Sequence, residues 1–203
     1  MPEKKRGEII IRGKKVTLRD LNERDIASLW YWHYECSNPE WVRWYTPYKP
    51  IEKSTRDEFY TEQKWEIEEA LKKQVPTKLA IEVDGKFIGF VRRYWIDKNT
   101  NWLNIGICIY DPDYWSGGYG TEAFRLWMRF LFDHMDIVRL GIATWSGNER
   151  MINLAKKLGM KHEGTIRKAR LVDGQYYDSI NMGILREEWE QVERGQYKES
   201  MGS

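Results

Sequence analysis

The chain has 203 residues and carries 33 Lys and Arg against 31 Asp and Glu, a formal +2. That length suits one well-buried core, and the balanced charge makes no case for a nucleic-acid surface. Two cysteines are too few for a disulfide framework and point to a reducing, cytoplasmic setting, and no stretch reaches the roughly 20 apolar residues of a membrane span.

The basic start, Lys4-Lys5-Arg6, has no apolar segment behind it, so no signal peptide is expected; with Lys14-Lys15 it reads as solvated charge. Residues 7–18 supply a first hairpin or strand. Asn22 caps a helix from about Glu23, with Ile26, Leu29 and Trp30 on one face. Pro39, Pro47 and Pro50 leave residues 37–51 mostly irregular or broken helix. Ser54 opens a long helix to about Lys73, which Pro76 ends. Residues 79–83 and 86–95 are strands joined by a two-residue Asp84-Gly85 turn. Residues 103–109 form an uncharged strand, and Ala123, Leu126, Trp127, Phe130 and Leu131 form one face of the next helix. A strand over 140–144, a helix lined by Met151, Leu154, Ala155 and Leu158, and two strands flanking Asp173-Gly174 complete a mixed α/β order.

Between the 103–109 strand and its following helix lies Asp111-Pro112-Asp113-Tyr114-Trp115-Ser116-Gly117-Gly118-Tyr119-Gly120-Thr121-Glu122-Ala123. Strand, glycine-rich turn and helix start together present unpaired backbone N–H groups to an anion, and glycines let a phosphate approach the backbone. Gly118 to Ala123 also fits G-x-G-x-x-A, the dinucleotide fingerprint. Against that reading, residues 111–117 separate the turn from its strand, the unit is not the first of a βαβ series, and the 139–144 strand ends in Trp145-Ser146-Gly147 with no acid for a ribose.

The segment Tyr114 to Ala123 resembles the acetyl-CoA pyrophosphate loop of the GNAT N-acetyltransferases, in the branch with ribosomal-protein N-terminal and spermidine acetyltransferases. Ser116 and Gly117 depart from it, standing where that branch usually has a glycine and a long polar residue. Two further blocks are similar in the same order. One is the Asn148-opened helix ending Lys157-Leu158-Gly159-Met160; the other is Asp173 to Asp178 with Ile184 to Trp189. The resemblance covers about residues 17–189. It implies one acetyltransferase domain over 1–203, with a mostly antiparallel six- or seven-stranded mixed sheet flanked by helices and splayed between the Leu103 and Leu140 strands.

The activity it implies is transfer of an acetyl group from acetyl-CoA to a primary amine by direct attack on the thioester, without a metal. Ser116, Gly117, Gly118, Tyr119, Gly120 and Thr121 would hold the pyrophosphate. The helix dipole would contribute ~0.3–2 kcal/mol and each N–H bond to a charged oxygen roughly 1.5–3 kcal/mol. Ile107, Cys108 and Ile109 would pair with the pantetheine arm, and a backbone N–H near Ile107 would polarise the thioester oxygen. Asn148 would hydrogen-bond the pantetheine, although as a residue before a helix it also reads as an N-cap.

Acid and base are not fixed. Where many members place a proton-donating Tyr, this chain has Ala155; Tyr177 and Tyr110 are substitutes, and water is another, since a thiolate of pKa about 8.5 leaves readily. Glu35, Glu40, Asp111 and Asp178 are the carboxylates near the site in chain order, each with a solvated or salt-bridged alternative. His33 falls in the substrate-side region, while His134 and His162 read as surface residues; their spacing with the cysteines makes no metal site. Trp30, Trp32, Trp41, Trp44, Tyr45 and Tyr48 lie where the family builds its acceptor pocket, and a packed accessory core is the other reading. Lined with Glu35 or Glu40, such a pocket would suit a cationic amine. A protein N-terminus, a polyamine and an aminoglycoside stay open as acceptors, as does a homodimer. The rival function is a non-catalytic acyl-CoA-binding module of the same fold.

Overall fold

Local turn chemistry and apolar alternation account for most of the strands in the computed structural model, which describes residues 6–201. Lys4 and Lys5 lie outside the described residues. The strands are β1 (Ile10–Arg12), β2 (Thr17–Arg19), β3 (Lys78–Val83), β4 (Lys86–Asp97), β5 (Trp102–Ile109), β6 (Arg139–Trp145), β7 (Lys161–Val172) and β8 (Gln175–Leu185). They form one sheet in the order β1-β2-β3-β4-β5-β6-β8-β7. Both expected two-residue turns are present with positive φ at each central residue, Asp84 and Gly85 at 48° and 80°, and Asp173 and Gly174 at 48° and 77°. This is the twist that antiparallel hairpins require.

The sheet is mostly antiparallel, as expected, but it has eight strands rather than six or seven. The difference lies at the start of the chain. Gly13 N–H donates to the Val16 carbonyl at 2.8 Å, closing a tight turn that makes two short strands of residues 10–19. β5 and β6 are the parallel pair, with one register pair among the described residues, Asn104 with Gly141. A Cβ at Gly141 would lie 2.4 Å from Asn104 Oδ1, so glycine is needed for that approach.

The chain divides into two compact units, residues 1–92 with 107–127, and residues 93–106 with 128–203. The first contains α1 (Glu23–Trp30), α2 (Glu40–Tyr45), α3 (Arg56–Lys72) and the start of α4 (Tyr119–His134). α1 opens with a reciprocal capping box between Asn22 and Asp25, and α3 with one between Thr55 and Glu58. The α3 cap is therefore Thr55, one residue after the expected Ser54. Among the prolines, Glu40 to Tyr45 still completes a short helix. α1 does not stop at Trp30 but runs into a wide turn over Tyr31–Glu35, closed by Cys36 N–H on the Tyr31 carbonyl at 2.8 Å. Such i→i+5 turns recur at functional sites. The core of this unit includes Leu18, Ile26, Leu79, Ile81, Ile88 and Val91, all fully buried.

The second unit packs Leu131, Leu140, Ile142, Met182 and Ile184 with α5 (Glu149–Lys157) and α6 (Arg186–Met201). α6 is a helix that the sequence patterning did not indicate. It is anchored by Trp189, stacked on Phe132 at 6.1 Å, and by the Arg186 guanidinium, which donates to the carbonyls of Phe132, Met135 and Ile137 at 2.7–2.9 Å. The Phe132 carbonyl lies in the last turn of α4 and the other two in the segment just after it, so one side chain caps that helix end.

Candidate active site

At the end of β5 the chain turns through a short 3-10 segment, Pro112–Tyr114, capped by the buried Asp111. Asp111 also accepts from Lys86 Nζ at 2.7 Å, so this carboxylate holds the turn together and is not a free base. Ser116 and Gly118 both have positive φ, 62° and 85°, and the pair of left-handed residues turns the backbone into α4. Glu122 N–H donates to the Gly118 carbonyl at 3.0 Å, closing the first helical turn. The N–H groups of Tyr119, Gly120 and Thr121 therefore precede the first intrahelical bond, at the positive end of a 16-residue helix.

A cation arrives from far away in the sequence. Lys15 Nζ donates to the Gly117 carbonyl at 2.7 Å and lies 5.6 Å above the Tyr119 ring. It would sit 3.6 Å from a Cβ at Gly118. Lys15 is held there through Glu122, whose carboxylate accepts the backbone N–H groups of Lys14, Lys15 and Val16 at 2.7–2.9 Å. The one acid in the first turn of α4 is thus engaged with the β1–β2 hairpin, and what the loop offers a ligand is backbone donors and an ammonium. That donor set fits a pyrophosphate.

The strand leading into the loop presents one edge away from β4. Tyr110 N–H donates to the Ile88 carbonyl at 2.9 Å. By the period of two, Cys108 faces β4 likewise, while the N–H and C=O groups of Ile107 and Ile109 face the opposite edge. There the Ile109 carbonyl accepts the Trp115 indole N–H at 3.0 Å. β4 comes unusually close to β5 at this level, because Gly89 has no Cβ; one would lie 2.0 Å from the Cys108 carbonyl oxygen. Burial pushes the Cys108 thiol well above its ordinary range, so it remains protonated and inert.

The first unit also contains a half-open cavity of about 330 Å³, lined by Leu29, His33, Trp41, Tyr45, Phe59, Phe90 and Tyr110 together with the charged Lys49, Glu52, Glu66, Lys78 and Arg92. Lys78 is paired with Glu66 at 3.3 Å. His33 projects from the wide turn after α1. Its Nδ1 is 2.8 Å from the Leu29 carbonyl, and since a carbonyl only accepts, Nδ1 carries the hydrogen and Nε2 is the unprotonated nitrogen. Burial, with a further effect of Lys78, lowers the His33 pKa from its usual value, against a smaller upward pull from the Leu29 bond. Rings of Trp41, Tyr110 and Phe59 lie 5.0–5.9 Å from the imidazole.

Trp30, Trp32, Trp41 and Tyr45 all pack in or against the buried cluster around Ile26, Phe59 and Tyr110, as the accessory-core reading expects, and Trp41 and Tyr45 also line the cavity. Glu35 accepts the Trp30 indole N–H at 2.7 Å on an exposed face, and Glu40 is the exposed first residue of α2. Neither lines the cavity. Tyr110 is a buried wall of it.

In the second unit, Asp178 Oδ1 accepts from Lys168 N–H at 2.8 Å, supporting a left-handed residue in a bulge of β7. Tyr177 donates to Gln175 at 3.2 Å with its ring edge-on to Trp145. Asn148 caps α5, its Oδ1 accepting from Met151 N–H at 3.0 Å, and is buried. Ala155 is fully buried. Among the described residues no group of His, Cys, Asp or Glu could hold a metal, and no helix is long and apolar enough to cross a membrane.

Lys15 and the geometry of His33 were not legible in the sequence as parts of a site. The signal for Lys15 would have been a cationic hairpin turn able to reach a distant acid; for His33, a histidine one helical turn after Leu29.

A model of the acetyltransferase (GNAT) domain matches residues 15–161. The SPbeta prophage-derived uncharacterized N-acetyltransferase YokL of Bacillus subtilis is 30% identical over 124 residues, 61% of this chain and 70% of that protein. The spermidine N(1)-acetyltransferase of Escherichia coli K12 is 28% identical over 116 residues, 57% of this chain and 62% of the relative. Among solved structures, RimL, a ribosomal L7/L12 α-N-protein acetyltransferase in complex with coenzyme A, superposes with a TM-score of 0.71 at 16% identity, covering 87% of this chain and 98% of that one.

Proposed function

The chain belongs to the GNAT acetyltransferase family, and from that premise we propose that it moves an acetyl group from acetyl-CoA to a primary amine. The observation that carries the reading is the loop at residues 116–121: left-handed Ser116 and Gly118, unpaired N–H groups at the start of α4, and Lys15 Nζ on the Gly117 carbonyl. Acetyl-CoA would supply a thioester carbonyl for the amine to attack and a thiolate as leaving group.

This chain's residues would do the rest. N–H groups from Gly118 to Thr121 bind the pyrophosphate, with Lys15 adding a charge-assisted contact. The outward N–H and C=O groups of Ile107 and Ile109 hold the extended arm as a strand neighbour would, with Cys108 between them as the buried residue that fixes their direction. An N–H near Ile107 would steady negative charge on the carbonyl oxygen. Asn148 caps α5, and the hydrogen bond to the arm is what the family resemblance implies for it. The amine acceptor is a small molecule or a peptide N-terminus; spermidine and a ribosomal protein are acceptors of relatives.

One observation favours the non-catalytic acyl-CoA-binding reading: Ala155, fully buried, stands where many members carry the acid. Calorimetric titration with acetyl-CoA and thiol release over a panel of N-terminal peptides, spermidine and kanamycin separate the two. Catalysis predicts binding and amine-dependent thiol release. Binding with no release from any amine selects the second reading, and no binding removes both.

A further inference from the structure

We propose that His33 is the proton acceptor for the incoming amine, and that the half-open cavity between α1, α2 with its following loop, α3, β4 and Tyr110 is where that amine sits. The inference rests on the acetyl-transfer reading and adds a residue and a place to it.

Three observations carry it. First, the ring is anchored by the nitrogen that a base does not need. Nδ1–H donates to the Leu29 carbonyl at 2.8 Å, which fixes the tautomer and leaves the Nε2 lone pair open. His33 lines the cavity, and no described residue hydrogen-bonds Nε2. Second, the wide turn over Tyr31–Glu35 sets the residue, and the rings of Trp41, Phe59 and Tyr110 wall the imidazole, so its position is determined by packing. Third, the cavity meets the strand of the proposed thioester site. Tyr110, a wall of the cavity, follows Ile109 directly.

The charges around the imidazole agree with a base that stays neutral until used. Lys78 from β3, although paired with Glu66 from α3, still disfavours a positive charge on the imidazole, and Arg92 from β4 also lines the cavity. Lys49 and Glu52, on the loop after α2, add one charge of each sign to the lining. The phenols facing the cavity, Tyr34, Tyr45 and Tyr110, are uncharged at neutral pH, and burial raises Tyr110 further. The burial that lowers the imidazole pKa likewise disfavours an ammonium, so the neutral amine is the favoured form in the cavity. In the step itself the amine nitrogen attacks the thioester carbonyl carbon, the N–C bond forms and the C–S bond breaks. The thiolate of coenzyme A leaves, and the proton from nitrogen goes to His33 Nε2, which passes it to solvent.

The test uses the full-length protein with acetyl-CoA and the best amine of the panel above. His33→Gln retains a donor for Leu29 but has no base. The expected result is a fall in kcat/KM of a hundredfold or more, loss of the acid limb of the pH–rate profile, and unchanged acetyl-CoA affinity by calorimetry. Activity within threefold of wild type, or a loss at every pH with the acid limb unmoved, overturns the proposal and leaves the acetyl-transfer reading standing. Absence of amine-dependent thiol release in the wild-type protein overturns both.

A second measurement needs no variant activity. With histidine labelled at Cε1, the wild-type protein gives three imidazole signals. The His33 signal must titrate below the ordinary imidazole range and coincide with the acid limb. A mismatch between them rejects His33 as the base even if His33→Gln does not fold.

Discussion

Gly118 combines two demands that a substitution can separate. Its φ of 85° strains any L residue, and a Cβ there would enter the space beside Lys15 Nζ, 3.6 Å away, without touching backbone. Gly118→Ala should cost about 1–2 kcal/mol of stability through the left-handed backbone alone. Gly118→Asp adds a negative charge at the proposed phosphate, and its acetyl-CoA affinity should fall about a hundredfold or more below that of Gly118→Ala. Denaturant melts and calorimetry on both proteins make the comparison; equal affinities would remove the pyrophosphate from this loop. Asn148 poses a similar question. Its bond to Met151 N–H makes Asn148→Ala a lost cap, about 0.5–2 kcal/mol. The cofactor role predicts a weaker acetyl-CoA titration as well, whereas a melt that shifts while binding stays the same would leave Asn148 as a cap only.

The β1–β2 hairpin and α4 are joined through one carboxylate. Glu122 accepts three hairpin N–H groups, and a Cβ at Gly13 would lie 2.8 Å from that carboxylate, so the turn and the acid fit each other closely. Glu122→Ala should destabilise the protein by roughly 1.5–3 kcal/mol, since donors to a charged oxygen lose their partner, and should weaken acetyl-CoA binding because Lys15 is no longer held. Glu122→Gln should lose less of both. Stability and affinity unchanged in Glu122→Ala would show that the hairpin is held by other contacts. This junction also shows where sequence reading stops. The Asp-Gly hairpins, the Asn22 cap and the glycine loop were legible because their causes are local: φ values, a side chain reaching its own helix, an apolar face. Glu122 and its partners lie 106–108 residues apart, and Lys15 lies 102 from Gly117, so no periodicity reveals them. The turn over Tyr31–Glu35 was hidden for another reason: an extra residue in a helical turn leaves the apolar pattern of α1 intact and only re-aims the residues beyond Trp30, His33 included. α6 leaves little apolar pattern because its anchors, Arg186 and Trp189, lie together in its first turn, one of them charged, and the residues beyond are mostly polar.

For the whole molecule, the titrating groups define a pH window of greatest stability. Folding lowers the His33 pKa, so the unfolded chain takes up that proton first. Stability is complete above about 6.5, the unfolded value, and falls as pH drops from there through the folded one. Glu58 and Glu188 are lowered by hydrogen bonds, the first at a helix cap and the second to Leu185 N–H. Their stabilisation is present above about 4.3 and is lost as pH falls through their lower folded values; Glu58 is exposed and Glu188 half-buried at the surface, so solvent screening makes theirs the shallower step. On the alkaline side the sign reverses. Burial raises Cys108 and Tyr110, so the unfolded chain ionises first and stability declines as pH rises past about 8.5 and then about 10. Denaturant melts from pH 4 to 11 should therefore show a plateau between about 6.5 and 8.5, with the buried groups His33, Cys108 and Tyr110 each contributing a slope of at most about 1.4 kcal/mol per pH unit. His33→Gln should remove the step that begins near 6.5 and keep the shallower acid one. Cys108→Ala should delay the alkaline fall until Tyr110 is reached. If the decline just below pH 6.5 has the same slope in His33→Gln as in the wild-type protein, His33 is not held neutral by the fold, and its fitness as a base goes with it.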